Sequence, residues 1–247
     1  MRTICLLTFG LLALSACDTA PIAPENAAHI KTIGIISAIG DEFSIQHQGV
    51  TVLSDNSSTG SIPEWKLDEF ARDAAGEVLG QRYAVLKVNY DPGPFIQEAA
   101  DRRGTNRVGE TVRGTVNGNG PDAYLVLQAI WQRNPVNPTG RGDFRGAGLY
   151  SHSTIFGTQV VSIYVDYYVS VVDGRTFQVV AESPAVVERD DLMIKERSPP
   201  AKRVEGSWWA DTIDALTVQQ KAQLNDAYRQ LIKQSLPVTL RDMKMIP

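Results

Sequence analysis

The residues best suited to nucleophilic or acid–base chemistry in this chain are its three histidines and the hydroxyls near them. His152 lies between Ser151 and Ser153, whereas His29 and His47 are isolated. A catalytic serine needs an imidazole within hydrogen-bond reach, often on a strand-to-helix turn of the form G-x-S-x-G, which this sequence lacks. Neighbouring residues of a strand point to opposite faces, so His152 is not expected to reach either hydroxyl. The sequence therefore predicts no catalytic residue.

Metal and cofactor sites are not predicted either. Zinc normally takes three or four protein ligands, and no two histidines stand at helical spacing. His47 continues the alternation of Phe43 and Ile45, which favours a packed or edge-strand histidine. The glycine-rich run at residues 140–148 matches no nucleotide-binding spacing and is flanked by strands, which favours a loop over a phosphate cradle.

Arginines supply the first candidate for a binding surface. The net charge is −4, which gives no general attraction to nucleic acid. The arginines cluster in two predicted loops: Arg102, Arg103, Arg107 and Arg113 around the first, and Arg133, Arg141 and Arg145 in the second. If both loops share one end of the sheet, they form a basic rim suited to lipid phosphates, glycan-linked anions or an acidic partner. The alternative is that these arginines only solvate long loops.

Aromatic residues supply a second candidate. Tyr164 and Tyr168 lie on the less aliphatic face of a long predicted strand, and Trp208 precedes Trp209 directly. Aromatic side chains are enriched in protein interfaces, but they are also ordinary core residues. The core interpretation is favoured, because a helix packed on that face would bury the tyrosines.

The first residues have the pattern of an export signal. Arg2 is the only charged residue before Asp18, and residues 4–14 are almost wholly apolar. A permanent bilayer span needs about 20 such residues, so this segment is too short for one. Leu14-Ser15-Ala16-Cys17 follows at once. This run resembles the lipobox of bacterial lipoproteins, in which the cysteine thiol is acylated and the peptide bond before it is cut.

The resemblance implies a location and a membrane partner. Residues 1–16 are then a signal peptide, and Cys17 is the lipidated N-terminus on the periplasmic side of the envelope. Two or more acyl chains anchor a protein stably, whereas one chain binds marginally. Asp18 resembles the residue that retains enterobacterial lipoproteins in the inner membrane, so this membrane is favoured.

Hydrophobic patterning predicts one folded domain at residues 30–247 after a lipidated tether at residues 17–29. Composition excludes a disordered chain, with 43% hydrophobic and 21% charged residues, and only two cysteines exclude a disulfide scaffold. In the first half, strands are predicted at residues 33–39, 43–47, 83–88 and 124–131 and helices at 67–78 and 95–103, with a mobile loop or a weak hairpin at 104–122. After a long loop at 132–148, strands are predicted throughout 149–182 with a turn at Asp173-Gly174, followed by irregular chain at 183–206 and a last helix from the Thr217 cap to just before Pro237.

This order of elements predicts the α/β (α+β) class. A β-β-α-β-α-β series, then an antiparallel meander and a C-terminal helix, indicates a single mixed β-sheet with helices packed against it. The layout and the anchor resemble those of periplasmic assembly and activator lipoproteins, such as those that stimulate peptidoglycan synthases. The resemblance implies a binding or assembly module for an envelope protein or an anionic envelope polymer. A periplasmic hydrolase whose residues converge only in the fold is the alternative.

Overall fold

In a computed structural model of the chain, residues 19–100, 107–116, 120–134, 136–137, 140–154, 156–189 and 196–247 are described. The strands are β1 (Thr32–Ala38), β2 (Glu42–Gln48), β3 (Asn56–Ser61), β4 (Ala84–Leu86), β5 (Ala123–Ala129), β6 (Trp131–Arg133), β7 (Asp143–Ser153), β8 (Gln159–Asp173), β9 (Val179–Pro184), β10 (Val187–Arg189), β11 (Glu196–Ser198) and β12 (Ala201–Val204). The α-helices are α1 (Pro24–His29), α2 (Leu67–Leu79), α3 (Gly93–Ala100), α4 (Val108–Thr115) and α5 (Val218–Asp242). The predicted α/β (α+β) class, a mixed sheet with helices against it, is confirmed.

One ten-stranded sheet organises the chain in the order β3-β2-β7-β8-β5-β1-β4, with β9 and β12 also paired to β8. The 15 residues of β8 extend over about 46 Å. β7 pairs with its first part, as far as Asp166, and β5 pairs with the rest, from Tyr167 onward. We call the part with β1, β4, β5 and β9 the first half-sheet, and the part with β2, β3, β7 and β12 the second half-sheet.

The two half-sheets are continuous because β1 and β2 lie end to end. β1 runs parallel to β5, and β2 runs parallel to β7. The chain bends between them at Gly40, whose φ is 85°, a value that glycine adopts without strain. Gly146, with a φ of 58°, makes a similar adjustment near the start of β7.

Helices α2 and α5 cover one face of the sheet and bury most of the core. The apolar stripe of α2 includes Leu67, Ala71 and Leu79, at helical spacing. In α5, the Tyr228 hydroxyl donates a 2.7 Å hydrogen bond to the carbonyl of Gly148. A fully buried aliphatic side chain stabilises the fold by about 1.5–3 kcal/mol, so this face supplies much of the folding free energy.

The opposite face is covered differently in the two half-sheets. On the first half-sheet, Phe95 of α3 and Val108 and Val112 of α4 pack in one cluster with Val126 and Val172 of the strands. Among the described residues, no helix covers this face of the second half-sheet. A small cluster of Phe144, Tyr150 and Tyr164 lies there instead.

The N-terminal segment is folded further than predicted. Residues 19–29 were expected to form a tether before a domain that begins at Ile30. Instead, Ala20 pairs with Glu182, Ile22 is only 3% exposed, and α1 follows. Ile22 is drawn into the main core cluster, a tertiary contact that proline-rich local sequence does not reveal.

Both predicted long loops contain regular structure. Residues 104–122 include α4, because Val108 and Val112 stand one helical turn apart and are buried on the sheet. Residues 132–148 include the end of β6 and the start of β7, paired as a hairpin with Gln132 opposite Phe144. The prediction of aperiodic chain was wrong in both places.

Two further boundaries differ from the prediction. Residues 183–206 include β10, β11 and β12, three short strands whose local pattern is weak. The last helix continues through Pro237, because Leu236 and Leu240 on either side of the proline are fully buried. Among the described residues, no helix has the length and apolar composition that crossing a bilayer requires.

Candidate functional site

Chemically useful side chains gather at the end of the second half-sheet where β2 and β7 finish. The two strands are parallel, with Gln48 opposite His152, so the loops that follow them project from the same end. The α5 helix runs in the direction of β8: Tyr228 contacts Gly148, and Ser235 lies 2.6 Å from the hydroxyl of Tyr167. The first residues of α5 therefore lie toward this end as well.

Large apolar side chains are exposed at this end. They come from three separate places in the chain: Val50, Val52 and Leu53 after β2, Phe156 between β7 and β8, and Val218 at the start of α5. Leu53 is 99% exposed and Phe156 is 88% exposed. We call these five residues the apolar end. Among the described residues, only Val85, Leu86 and Trp131 are other large apolar side chains with comparable exposure.

A polar pocket of about 220 Å³ lies beside the apolar end, between β2, β3 and the hairpin of β6 and β7. One wall is an ion pair in which Arg141 donates to both carboxylate oxygens of Asp55, at 2.9 and 3.0 Å. Arg141 also donates to the carbonyl of Gly49. These bonds from Arg141 lower the pKa of Asp55, so the carboxylate stays charged.

The facing wall is held by hydrogen bonds and ring stacking. The side-chain oxygen of Gln48 accepts from the Tyr150 hydroxyl at 2.7 Å and from the backbone of Arg141 at 3.0 Å. The ring of Tyr150 stacks on His152, with 5.7 Å between centroids. Burial lowers the pKa of His152, and the positive charge of Arg203 lowers it further, which favours a neutral imidazole.

His47 is the one histidine of the pocket lining. Its Nδ1 shares a 2.6 Å hydrogen bond with the Ser151 hydroxyl, and its ring lies 5.9 Å from that of Trp209. Ser151 is fully buried and also accepts from Gln159 at 3.1 Å. The fold thus does bring an imidazole to a hydroxyl, but Ser151 faces the interior, so this pair holds two strands together instead of facing a substrate.

The three arginines of the predicted loop do not form one patch. Arg141 is bound to Asp55, and Arg145 donates to the carbonyl of Ile96 at 2.9 Å. The described residues supply no ion pair or hydrogen bond for the Arg133 side chain. Contact of Arg133, Arg141 and Arg145 with an anionic partner stays a prediction.

The two groups of arginines do not share an end of the sheet. Arg113 donates to the carbonyl of Thr176, beside the turn between β8 and β9, and Arg107 lies on the same helix end as Glu110. That turn is at the far end of β8 from Arg141. The expected basic rim was wrong because its first loop is a helix packed on the first half-sheet; Arg102 and Arg103 lie outside the described residues.

The aromatic candidates are mainly core residues. Tyr164 is fully buried and packs edge-on against Phe144, with 4.9 Å between centroids. Trp208 and Trp209 are partly buried and pack against the main core. The core interpretation of Tyr164 is confirmed, and the exposed aromatic residue of this end is Phe156, which the sequence pattern did not indicate.

A buried carboxyl group lies beneath this half-sheet. Asp166 is 1% exposed, and in the described part of the chain neither of its oxygens has a hydrogen-bond partner; the buried hydroxyl of Tyr164 has none there either. Burial raises the pKa of Asp166 well above its usual value, which favours the neutral acid. The sequence signal was an aspartate in the middle of a β-branched strand. Among the described residues, no group of metal-ligating side chains comes together to hold an ion.

No protein-family model and no curated protein sequence matches the chain. Solved structures with a related course of the chain include the PelC dodecamer from Paraburkholderia phytofirmans, with 7% identity, 92% of this chain and 96% of that chain covered, and a TM-score of 0.32. A neuraminyllactose-binding hemagglutinin homolog from Helicobacter pylori has 10% identity, with 92% and 87% covered and a TM-score of 0.32. Lipoprotein GNA1162 from Neisseria meningitidis has 12% identity, with 81% and 97% covered and a TM-score of 0.28. At these scores the neighbours assign neither a family nor an activity to the chain.

Proposed function

We propose that this chain is an exported lipoprotein, anchored through acyl chains on Cys17 to the periplasmic side of the envelope, that binds another envelope component through its apolar end. The lipobox resemblance at residues 14–17 supports the anchor, and Asp18 favours the inner membrane. The partner is an envelope protein or an anionic envelope polymer, and no nucleic acid is involved.

The observation that carries the binding role is the concentration of exposed apolar side chains at one end of the sheet. Five exposed large apolar side chains at one end of a domain exceed the scattered single residues that a soluble surface normally shows, and apolar patches mark interaction sites. Complete burial of a Leu or Phe side chain contributes about 1.5–3 kcal/mol, so Leu53 and Phe156 are the natural anchors for a partner. The bonded wall of Arg141, Asp55 and Gln48 beside them supplies a polar rim that keeps its shape.

The anchor is tested by replacing the acceptor. Cys17→Ser is expected to leave an uncleaved precursor without fatty acid, because no other thiol stands at the cleavage position. Growth of cells with a fatty-acid analogue, followed by capture of the label, measures this. Equal labelling of the parent and the variant would contradict the lipoprotein assignment.

The binding role is tested by photo-crosslinking in living cells. A photoreactive residue at Leu53 and, separately, at Phe156 is expected to capture the same envelope component. Val85 is the matched control, because it is exposed on the edge strand β4, away from the apolar end. Loss of the captured species in a Leu53→Asp background with the crosslinker at Phe156 supports one shared surface. Capture of different components from the two positions, or equal capture from Val85, contradicts it.

Hydrolysis is the second candidate, because the pocket lining includes His47, Asp55 and the hydroxyl-bearing Ser57, although the ring of His47 lies on the opposite face of β2 from Ser57. The geometry favours binding: Nδ1 of His47 is engaged by buried Ser151, and Asp55 is engaged by Arg141. We expect no turnover of envelope peptides, glycans or esters above that of a His47→Gln variant. A rate that falls at least tenfold in this variant, with the fold intact by circular dichroism, would establish the hydrolase instead.

A further inference from the structure

The segment that follows the predicted acylation site is bonded to the edge of the sheet. The Ala20 N–H donates to the carbonyl of Glu182 at 2.8 Å, and the Glu182 N–H donates back at 3.0 Å. The hydroxyls of Thr19 and Ser183 lie 3.1 Å apart. We call residues 19–29 the strap, and the edge formed by residues 19–20 and β9 the strap edge.

The strap is held along its whole length. The N–H of buried Ile22 donates to the carbonyl of Met243 at 3.0 Å, which places the strap between β9 and the end of α5. At its other end, Nε2 of His29 lies 2.9 Å from the carboxylate of Asp173. The strap is therefore part of the domain and adds no flexible length between lipid and fold.

Covalent geometry then limits the distance between the lipid and the sheet. Only Asp18 separates Cys17 from Thr19, so their Cα atoms are at most about 7.6 Å apart. A free tether of residues 17–29 would instead have an end-to-end distance of roughly 20 Å. The acyl chains of Cys17 must enter the bilayer within about 10 Å of the strap edge.

We infer that the strap edge rests directly on the membrane that holds Cys17, with phospholipid headgroups as its partner. The inference depends on the proposed lipidation. A cleft of about 420 Å³ beside Ala20 is lined by the apolar Phe177 and Val180 and by Arg107, Glu110 and Glu182, with Arg107 paired to Glu110 at 3.0 Å. The exposed guanidinium of Arg175, in the adjacent turn, suits a lipid phosphate.

Contact of the strap edge with the membrane also fixes where β4 and the apolar end lie relative to the bilayer. β4 lies about five strand spacings, or roughly 24 Å, across the sheet from the strap. The apolar end lies roughly 30 Å along β8 from the position where Tyr168 pairs with Pro184 of β9. A domain without a tether presents this end at a fixed height, so its partner belongs to the region close to the same membrane.

Fluorescence quenching in vesicles tests the inference on the full-length lipidated protein. Cys5 leaves with the signal and Cys17 is acylated, so one introduced cysteine gives a single labelling site. Gln178→Cys places a fluorophore beside the strap edge, and Ser57→Cys places the matched control on β3, across the sheet. With vesicles of phosphatidylglycerol and phosphatidylcholine that carry nitroxide headgroups, we expect at least threefold stronger quenching at residue 178 than at residue 57.

A linker variant distinguishes membrane contact that the short chain imposes from adsorption of the domain to the vesicle by other surfaces. Insertion of 20 Gly/Ser residues between Asp18 and Thr19 keeps the acylation site and is expected to reduce the quenching ratio to near one. Equal quenching at both positions in the acylated parent, or a ratio that the linker leaves unchanged, would overturn the inference. A protein without fatty-acid label overturns the proposed anchor itself, which the labelling assay detects separately.

Discussion

The two half-sheets share β8, but their faces are covered by different elements. The first half-sheet has helices on both faces, and its strands bury Val126 and Val172 under α3 and α4. The second half-sheet has helices on one face. Its other face buries Tyr164 and Asp166, whose polar side-chain atoms have no hydrogen-bond partners among the residues that the structure describes. It also carries the apolar end.

This difference indicates a division of labour. A buried polar atom without a partner costs about 1–3 kcal/mol, and native folds keep few of them. The first half-sheet has the composition of a stable scaffold, and it also holds the strap through Asp173. The second half-sheet departs from the rules of stability at Tyr164 and Asp166, in the middle of β8, and carries the apolar end beyond the start of that strand.

The largest expected effect on the free energy of unfolding comes from adding a methyl group to the packed face of the second half-sheet. The Cβ of Gly148→Ala would lie 2.1 Å from the Tyr164 hydroxyl oxygen and 2.6 Å from the carbonyl of Ser44. Neither the buried ring nor the backbone has room to move, so we expect the free energy of unfolding to fall by about 3 kcal/mol. Urea denaturation measures this.

Gly34→Ala is the matched change in the first half-sheet. Its Cβ would meet the side chains of Val88 and Pro121, at 2.3 and 3.0 Å, which lie in loops and can shift. We expect a loss of about 1 kcal/mol. Equal losses at the two glycines would contradict the view that the face with Tyr164 is tightly closed.

The next effect tests how the first half-sheet holds the strap. Although burial opposes it, hydrogen bonds from Thr176, His29 and Arg175 lower the pKa of Asp173 to about 2. Because the pKa in the folded state lies below the ordinary aspartate value of 3.8, the stabilisation is present above pH 4 and is lost as the pH falls toward 2. Asp173→Asn should cost about 2 kcal/mol at pH 7 and remove this part of the acid dependence.

Thermal or urea unfolding between pH 2 and pH 7 checks the Asp173 prediction. Asp143→Asn is the control, because this aspartate is exposed and shows no comparable set of hydrogen bonds from its neighbours. A parent whose stability does not change between pH 4 and pH 2 would contradict the assignment.

A smaller effect of opposite sign is expected at Asp166. Burial raises the pKa of this carboxyl in the folded state, so folding favours the neutral acid. The contribution of Asp166 to the free energy of unfolding is therefore most favourable below about pH 4 and is lost as the pH rises toward the folded-state pKa. Asp166→Asn removes the ionisation and should stabilise the fold by about 1–2 kcal/mol at pH 7, with no gain at pH 4. Urea denaturation at both pH values measures the difference, and destabilisation at pH 7 would show that the carboxylate has a partner.

The smallest effect on stability is expected at the apolar end. Leu53→Asp with Phe156→Asp should change the free energy of unfolding by less than about 0.5 kcal/mol, because both side chains are exposed. The same double variant should lose the crosslinked partner. Val85→Asp is the control, since it is exposed on the edge of the first half-sheet and should leave partner binding intact.

Much of the fold was predictable because its signals are local. The alternation of β8, the Asp173-Gly174 turn and the stripe of α2 each depend on residues within a few positions of one another. The predicted cap of the last helix is present, with the N–H of Gln220 donating to the Thr217 hydroxyl at 3.2 Å. Hydrophobic periodicity and helix capping depend on residues that are neighbours in the chain, so both can be read from the sequence before the tertiary structure is known.

The candidate site was not predictable in the same way. Asp55 and Arg141 are 86 residues apart, and His47 and Ser151 are 104 residues apart, so no spacing rule links them. Only the parallel pairing of β2 with β7 brings them together. The loop with three arginines predicted a flexible basic patch. In the structure, β6 pairs with β7, and the carboxylate of Asp55 binds Arg141, so this segment is an ordered wall of the pocket.

The sequence by itself determined the class of fold and most of the long elements, because each depends on local composition or periodicity; its N-terminal pattern also predicts an export signal. Tertiary structure alone decided that residues 19–29 belong to the folded domain, since Ile22 is buried through its contacts with β9 and the end of α5, which are distant in the sequence. It also decided which apolar residues stay outside. Leu53 and Phe156 are as hydrophobic as the buried Leu and Phe residues, but they lie in loops beyond the packed core and stay exposed.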